Sequence, residues 1–207
     1  MLLDAMRTVQ GTKGYERVIE EFVRSSQSLA FEETNADFIP FLPINPSRVL
    51  DAGCGAGQNA AALARLGHSV TAVDPMPDFL EAAKNNYRDS NISWANDSLP
   101  SLASMETGWT FEFVLIDGVW HHLSAAERMA SLERVSHLLL EGGRCAISLR
   151  NGPAGAGTHL FPTNVEETIA TASKFGLSCI FRIENQSSLM PGKDAVKWAR
   201  LVFERGV

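Results

Sequence analysis

Asp51, Gly53, Gly55 and Gly57 fall within one short stretch, VLDAGCGAGQNAAAL, spanning residues 49–63. An apolar run leads in, three glycines crowd together, and a helix-forming run follows. Glycines at this spacing let a backbone turn come against a ligand. A second carboxylate, Asp74, closes the run SVTAVD and stands where a ribose diol is bound in a strand–turn–helix site. Asp97 and Asp117 end two later strand-like runs. The glycines taken alone also fit a merely tight connection. The acidic residues around them suit a ligand with hydroxyls and a positive end.

Two common cofactors use nearly this turn. A dinucleotide sets its pyrophosphate on the helix N-terminus and uses the third glycine of G-x-G-x-x-G for close helix approach. Here Gln58 holds that third place and Gly57 comes one position early. Asp51, just before the turn, would repel a pyrophosphate. It would attract the ammonium of an amino acid tail, directly or through a water. Asp51 therefore favours S-adenosylmethionine over a dinucleotide.

The elements that must position these residues alternate. Strands are expected near Arg48–Ala52, Ser69–Val73, Ile92–Ala95, Glu112–Ile116 and Arg144–Leu149, with helical patterns between them. Ser124 with Glu127, and Thr163 with Glu166, read as capping boxes opening helices, the second stopped near Gly176. Such alternation predicts a parallel sheet with helices on both faces. The runs SCIFRIEN and AVKWARLVFER leave no room for a crossover helix, so they form a closing antiparallel hairpin. Upstream, Tyr15, Val18, Ile19, Phe22, Val23 and Leu29 recur at helical spacing over 15–30, followed by the proline-rich connector DFIPFLPINPSR.

Composition sets the outer limits. The chain has 207 residues, enough for one domain with a full core, and 45% of them are hydrophobic. The net charge is −6 and basic clustering is weak, which argues against a nucleic-acid partner. No apolar run approaches the about 20 residues that span a bilayer. Cys54, Cys145 and Cys179 are scattered and lie in apolar runs. They read as buried reduced thiols of a cytoplasmic protein, and no metal site is expected.

The stretch VLDAGCGAGQNAAALARLGHSVTAVDPMPDFLEAA resembles the opening of class I S-adenosylmethionine-dependent methyltransferases. The resemblance continues through WANDSLPSL, FEFVLIDGVWHHL and LLLEGGRCAISL, and covers roughly residues 48–150. It implies an α/β fold: a Rossmann-like three-layer α-β-α sandwich whose seven-stranded, mostly parallel sheet has one antiparallel edge strand and order 3-2-1-4-5-7-6. One domain, 1–207, is implied, with residues 1–45 as a helical lid segment and 46–207 as the core. By resemblance, Gly53 and Gly55 approach the methionine portion of the cofactor and Asp51 meets its amino group. Asp74 takes the ribose, Pro75 and Met76 follow it, and Met76 lies on the adenine. Asp97 takes the adenine amino group, with a helix cap as its alternative role, and Ser98 and Leu99 flank the ring. Asp117, Gly118 and Val119 floor the methionine.

The acceptor end is less determined. Methyl transfer is an in-line displacement for which the protein supplies alignment, desolvation and, where needed, a base. His122, with His121 as alternate, is the candidate base; a structural histidine is the competing reading. Trp120 reads as packing. Arg150 and His159, in or beside the glycine-rich loop after strand five, are candidates for the substrate rim, against a solvated role. Residues 1–40, that loop and the Pro191–Gly192 hairpin tip are the segments free to shield the site, and removing residues 1–30 is expected to spare cofactor affinity while abolishing turnover. No D/N-P-P-aromatic stretch and no paired cysteines point to a nucleobase. The expected activity is methylation of a small molecule at O, N or C. The alternatives are an RNA or protein methyltransferase, a non-catalytic cofactor-binding protein and, further off, a nucleotide-dependent oxidoreductase.

Overall fold

The computed structural model describes residues 9–88, 92–106, 108–190 and 192–206. Residues 1–8 of the expected lid and Pro191 of the hairpin tip lie outside them. Seven strands form one sheet: β1 (Arg48–Ala52), β2 (Ser69–Asp74), β3 (Ile92–Asn96), β4 (Phe111–Ile116), β5 (Leu139–Asn151), β6 (Leu177–Ser187) and β7 (Lys197–Arg205). Their order is β3-β2-β1-β4-β5-β7-β6, as expected. The first five pair in parallel, and β7 runs antiparallel to both β5 and β6. The reversed strand is thus β7, one in from the edge that β6 forms.

Strict alternation along the strands builds two cores. Leu50, Val114, Ile116, Cys145, Ile147, Leu201 and Phe203 face one side. Val49, Phe113, Leu115, Ala146 and Val202 face the other. Both faces are apolar because both are covered. Helices α5 (Ala125–Leu138) and α6 (Val165–Ser173) cover the first face; α3 (Gln58–Arg65) and α4 (Pro77–Asn86) cover the second.

Local signals hold with adjustments. Ser124 and Glu127 form the expected reciprocal cap on α5. The second cap falls one residue later than expected: Asn164 accepts from the Glu167 backbone N–H at 2.9 Å, and Glu166 instead pairs with Arg182. A single helix over 15–30 is replaced by a 3-10 turn, Tyr15–Arg17, and α1 (Ile19–Gln27). Gly14, at φ +102°, precedes the turn, and the chain breaks again at Val18.

The expected lid segment divides in two. Phe31, opening the short helix α2 (Phe31–Thr34), and Phe38 are buried in the second core. Arg200 of β7 donates to the Thr34 carbonyl at 3.0 Å, and Arg144 of β5 donates to that of Phe41. Residues 31–42 are therefore part of the core, and only the segment before them lies over the carboxyl edge of the sheet.

Candidate active site

The glycine turn sits where β1 ends. The Gly53 and Cys54 backbone N–H groups both donate to the Val73 carbonyl of β2, at 2.8 and 2.9 Å. Gly53 has φ +90°, and a Cβ there would come within 2.2 Å of Val119 Cγ2, so only glycine fits. Asp74 steadies the turn from β2: one carboxylate oxygen accepts from the Gly55 N–H at 2.9 Å and the other from the Met76 N–H at 2.8 Å. Asn59 of α3 donates to Asp117 at 3.3 Å and accepts from the buried Asn35 at 3.2 Å.

These elements surround one cavity of about 600 Å³ at the carboxyl ends of the strands. Its wall includes Gly53, Gly55, Asp74, Pro75, Met76, Ser98, Leu99, Asp117, Gly118 and Val119, and, on the far side, His121, His122 and Arg150. Its volume suits a ligand pocket. Of the residues expected there, Asp51, Asp97 and His159 are not on the wall. Asp51 is buried behind the turn with its Oδ2 lacking any partner. Asp97 accepts from the backbone of Ser98, Ala103 and Ser104, so its carboxylate fastens the loop that carries Ser98 and Leu99. His159 stacks edge-on against Phe161 and presents its carbonyl, not its ring, to His122.

Electrostatically the cavity has an acidic end. Burial, then the charges of Asp117 and Asp74, pushes the Asp51 carboxyl up to about 8. Burial pushes Asp74 up to about 6 against the pull of the two backbone N–H groups it accepts. A buried carboxylate with an unpartnered oxygen, beside two more carboxylates, fits a ligand that brings a cation.

The histidines occupy the opposite wall. His122 Nδ1 lies 2.9 Å from the His159 carbonyl, which only accepts, so Nδ1 carries the proton. Nε2 is then the acceptor for the Tyr15 hydroxyl at 3.1 Å. Burial lowers the His122 pKa, and burial with neighbouring His122, Arg150 and Arg128 lowers that of His121 to about 2. Both rings are neutral near pH 7. Arg128 of α5 donates to the carbonyls of Trp120, Pro162 and Phe161, tying the histidine turn to the loop after β5. Trp120 is fully buried and donates to Thr168, which is a packing role.

The roof comes from the N-terminal segment. Phe22 of α1 stacks on Phe79 of α4 at 4.8 Å, and a Cβ on Gly55 would lie 3.4 Å from it. Lys13 accepts from the Thr158 N–H at 2.8 Å, docking this segment on the loop after β5. A Cβ on Gly157 would strike both Tyr15 and His122, at 2.7 and 2.6 Å. Tyr15, Phe22, Gln58, Asn59, Lys193 and Trp198 all reach the wall, though none is among the expected site residues. Tyr15 and Phe22 carried only a helical-burial signal, and Trp198 only a strand signal. Gln58, in the place of a third glycine, was the one visible clue; its buried Oε1 has no partner.

Residues 49–143 match the model of a methyltransferase domain. The ubiquinone biosynthesis O-methyltransferase of Methylocella silvestris is 41% identical over 81 residues, 39% of this chain and 32% of that protein. An uncharacterised methyltransferase of Mycobacterium tuberculosis is 32% identical over 117 residues, 54% of this chain and 57% of that protein. The chain thus spans between about a third and just over half of these relatives. Among solved structures, the Burkholderia thailandensis 1,6-didemethyltoxoflavin-N1-methyltransferase, with bound 1,6-didemethyltoxoflavin and S-adenosylhomocysteine, superposes with a TM-score of 0.73 at 19% identity, covering 100% of this chain and 93% of that one. The Synechocystis magnesium protoporphyrin IX methyltransferase, with bound S-adenosylmethionine, gives 0.65 at 15% identity over 100% and 86%.

Proposed function

We propose that this chain, whose residues 49–143 match a methyltransferase domain and whose fold is shared with solved S-adenosylmethionine-dependent methyltransferases, methylates an oxygen, nitrogen or carbon of a small organic molecule. The observation that carries this reading is the unpartnered, buried Oδ2 of Asp51, set behind a glycine turn whose cavity also holds Asp74 and Asp117. A dinucleotide would bring negative charge to that place.

S-adenosylmethionine supplies an electrophilic methyl on a positively charged sulfur. This chain's residues do the rest. Asp51 neutralises the amino group of the methionine tail, and Gly53, Gly55, Asp117, Gly118 and Val119 shape its bed. Asp74 accepts from the ribose hydroxyls with the lone pairs its backbone bonds leave free. Pro75, Met76, Ser98 and Leu99 enclose the adenine, and Asp97 holds the loop that brings Ser98 and Leu99 there. His122, neutral and protonated on Nδ1, offers Nε2 as a base once the Tyr15 hydroxyl yields it; the His121 ring lies behind it, tilted by 41°, at 4.1 Å between ring centroids. Arg150 faces the acceptor, and His159 contributes through its carbonyl. The roof segment excludes water, and residues 9–27 are the part of the expected lid suited to move. The three free thiols suit a reducing compartment, so we place the protein in the cytoplasm. Among the described residues no helix is long and apolar enough to cross a membrane.

Calorimetry with S-adenosylhomocysteine and with NADH tests the cofactor: binding of the first alone is expected, and binding of NADH alone overturns the reading. Transfer of labelled methyl from S-adenosylmethionine into fractionated cell extract tests the acceptor. Label is expected in the small-molecule fraction; label confined to RNA or protein overturns that class.

A further inference from the structure

Away from its acidic end the cavity carries two cations on neighbouring elements. Arg150 stands near the end of β5 and pairs in register with Trp198 of β7. Register partners project from the same face of a sheet, and both line the cavity. Lys193 reaches the same wall from the β6–β7 loop, its ammonium nitrogen 3.8 Å from where a Cβ on Gly155 would stand. The Arg150 guanidinium gives one N–H to the Pro153 carbonyl at 2.6 Å. Among the described residues, neither Arg150 nor Lys193 has a carboxylate oxygen within 4.0 Å.

The protein's own groups at this end bring no negative charge. Burial keeps Tyr15 protonated and the rings of His121 and His122 neutral. The carboxylates on the cavity wall are elsewhere: Asp74 and Asp117 at the ends of β2 and β4, and Glu21 exposed on α1. Leu160 of the loop after β5, and Met190 and Val196 of the β6–β7 loop, put apolar side chains on the wall from the same two loops. Two partly desolvated cations without a counter-charge cost free energy that a bound anion recovers.

We propose that the methyl acceptor is an acid: an apolar, ring-sized molecule whose carboxylate or phosphate is held between Arg150 and Lys193, with its body against Trp198. The inference rests on the methyltransferase reading of the cavity. The charge layout follows: the ammonium of the cofactor at the acidic end, the oxyanion of the acceptor at the basic end, and the reacting atoms between. A guanidinium takes such a group through paired N–H donors, while the lysine adds a movable charge from a separate loop.

The test is binding to the full chain saturated with S-adenosylhomocysteine. The probes are 3,4-dihydroxybenzoate against catechol, 4-hydroxybenzoate against phenol, and phenyl phosphate against phenol. At least one acid is expected to bind about tenfold or more tightly than its neutral counterpart, the gain of a charge-assisted hydrogen bond. Lys193→Gln and Arg150→Gln are each expected to reduce that ratio, and the double variant to bring it near one. S-adenosylhomocysteine affinity is measured on every variant as the control for folding. Preference for the aryl acids or for phenyl phosphate tells carboxylate from phosphate. If no acid outbinds its neutral counterpart, or the preference survives the double substitution, the proposal is overturned. Failure of S-adenosylhomocysteine to bind the unaltered chain overturns the methyltransferase reading instead.

Discussion

Asp51 is where residue chemistry and ligand choice meet. Its carboxyl titrates near 8 in the folded chain, far above the ordinary carboxylate range. Between that ordinary range and 8 the folded form holds a proton that the unfolded form has shed, so this group costs stability progressively as pH rises through the window. An ammonium beside Oδ2 favours the ionised carboxylate, so binding near neutral pH must expel a proton. Calorimetry of S-adenosylhomocysteine in buffers of different ionisation enthalpy is expected to show that release, and Asp51→Asn to abolish it. The same variant is expected to weaken S-adenosylhomocysteine more than adenosine, which has no amino acid tail. Equal losses would reduce Asp51 to a turn residue. His122 is the second residue-scale case. A base must be deprotonated, and burial sets its pKa below the ordinary imidazole value. kcat is expected to fall on the acid side through that lowered pKa, and His122→Ala to lower kcat by about a hundredfold and remove that limb. A small loss with an unchanged profile would leave His122 a positioning residue. Tyr15→Phe frees Nε2, and is expected to shift the limb and keep the rate.

At the scale of elements, the roof is the part most open to experiment. Phe22 lies against Gly55 and Phe79, at the cofactor end, while Tyr15 of the preceding turn lies against His122. One segment thus covers both ends, so deleting it is expected to weaken the cofactor as well as abolish turnover, unlike the division of labour the sequence suggested. Phe22→Ala is expected to speed S-adenosylhomocysteine release in stopped flow; an unchanged off-rate would mean the roof stays open over a bound cofactor. What was legible beforehand follows the reach of the physics. The β1 turn, the Asp74 position and the α5 cap are local in sequence, and each was readable from a few adjacent residues. β5 begins at Leu139, ahead of the expected Arg144, because Phe111 of β4 pairs with Leu139 before the register shifts at Phe113. Tyr15 with His122, and Lys193 over Gly155, join residues far apart in the chain, and no local pattern marks such meetings.

For the molecule as a whole, the tie between residues 31–42 and the antiparallel hairpin matters most. Phe38 is buried, the Arg200 guanidinium lies 6.0 Å from its ring centroid, and Phe41 packs on Phe181 of β6 at 5.1 Å. The family resemblance implies a lid here and the prolines mark only a connector; its burial depends on strands from the far end of the chain. Phe38→Ala is expected to lower unfolding free energy by about 3–5 kcal/mol in urea melts, where Phe22→Ala, at a position only partly buried, is expected to cost far less. Equal costs would return residues 31–42 to the lid. The hairpin itself brings Trp198 to the cavity, and that placement has an optical consequence. Of the four tryptophans, Trp120 is sealed in the core, Trp94 sits behind Gly57 and Trp109 packs on Phe111. Trp198 alone among them lines the cavity, on the acceptor side beside His121. Its indole is a built-in lamp for that half of the cavity: an arriving ring should quench or shift its emission, and Trp198→Phe should darken the signal, so acceptors can be screened by light before any methyl group moves.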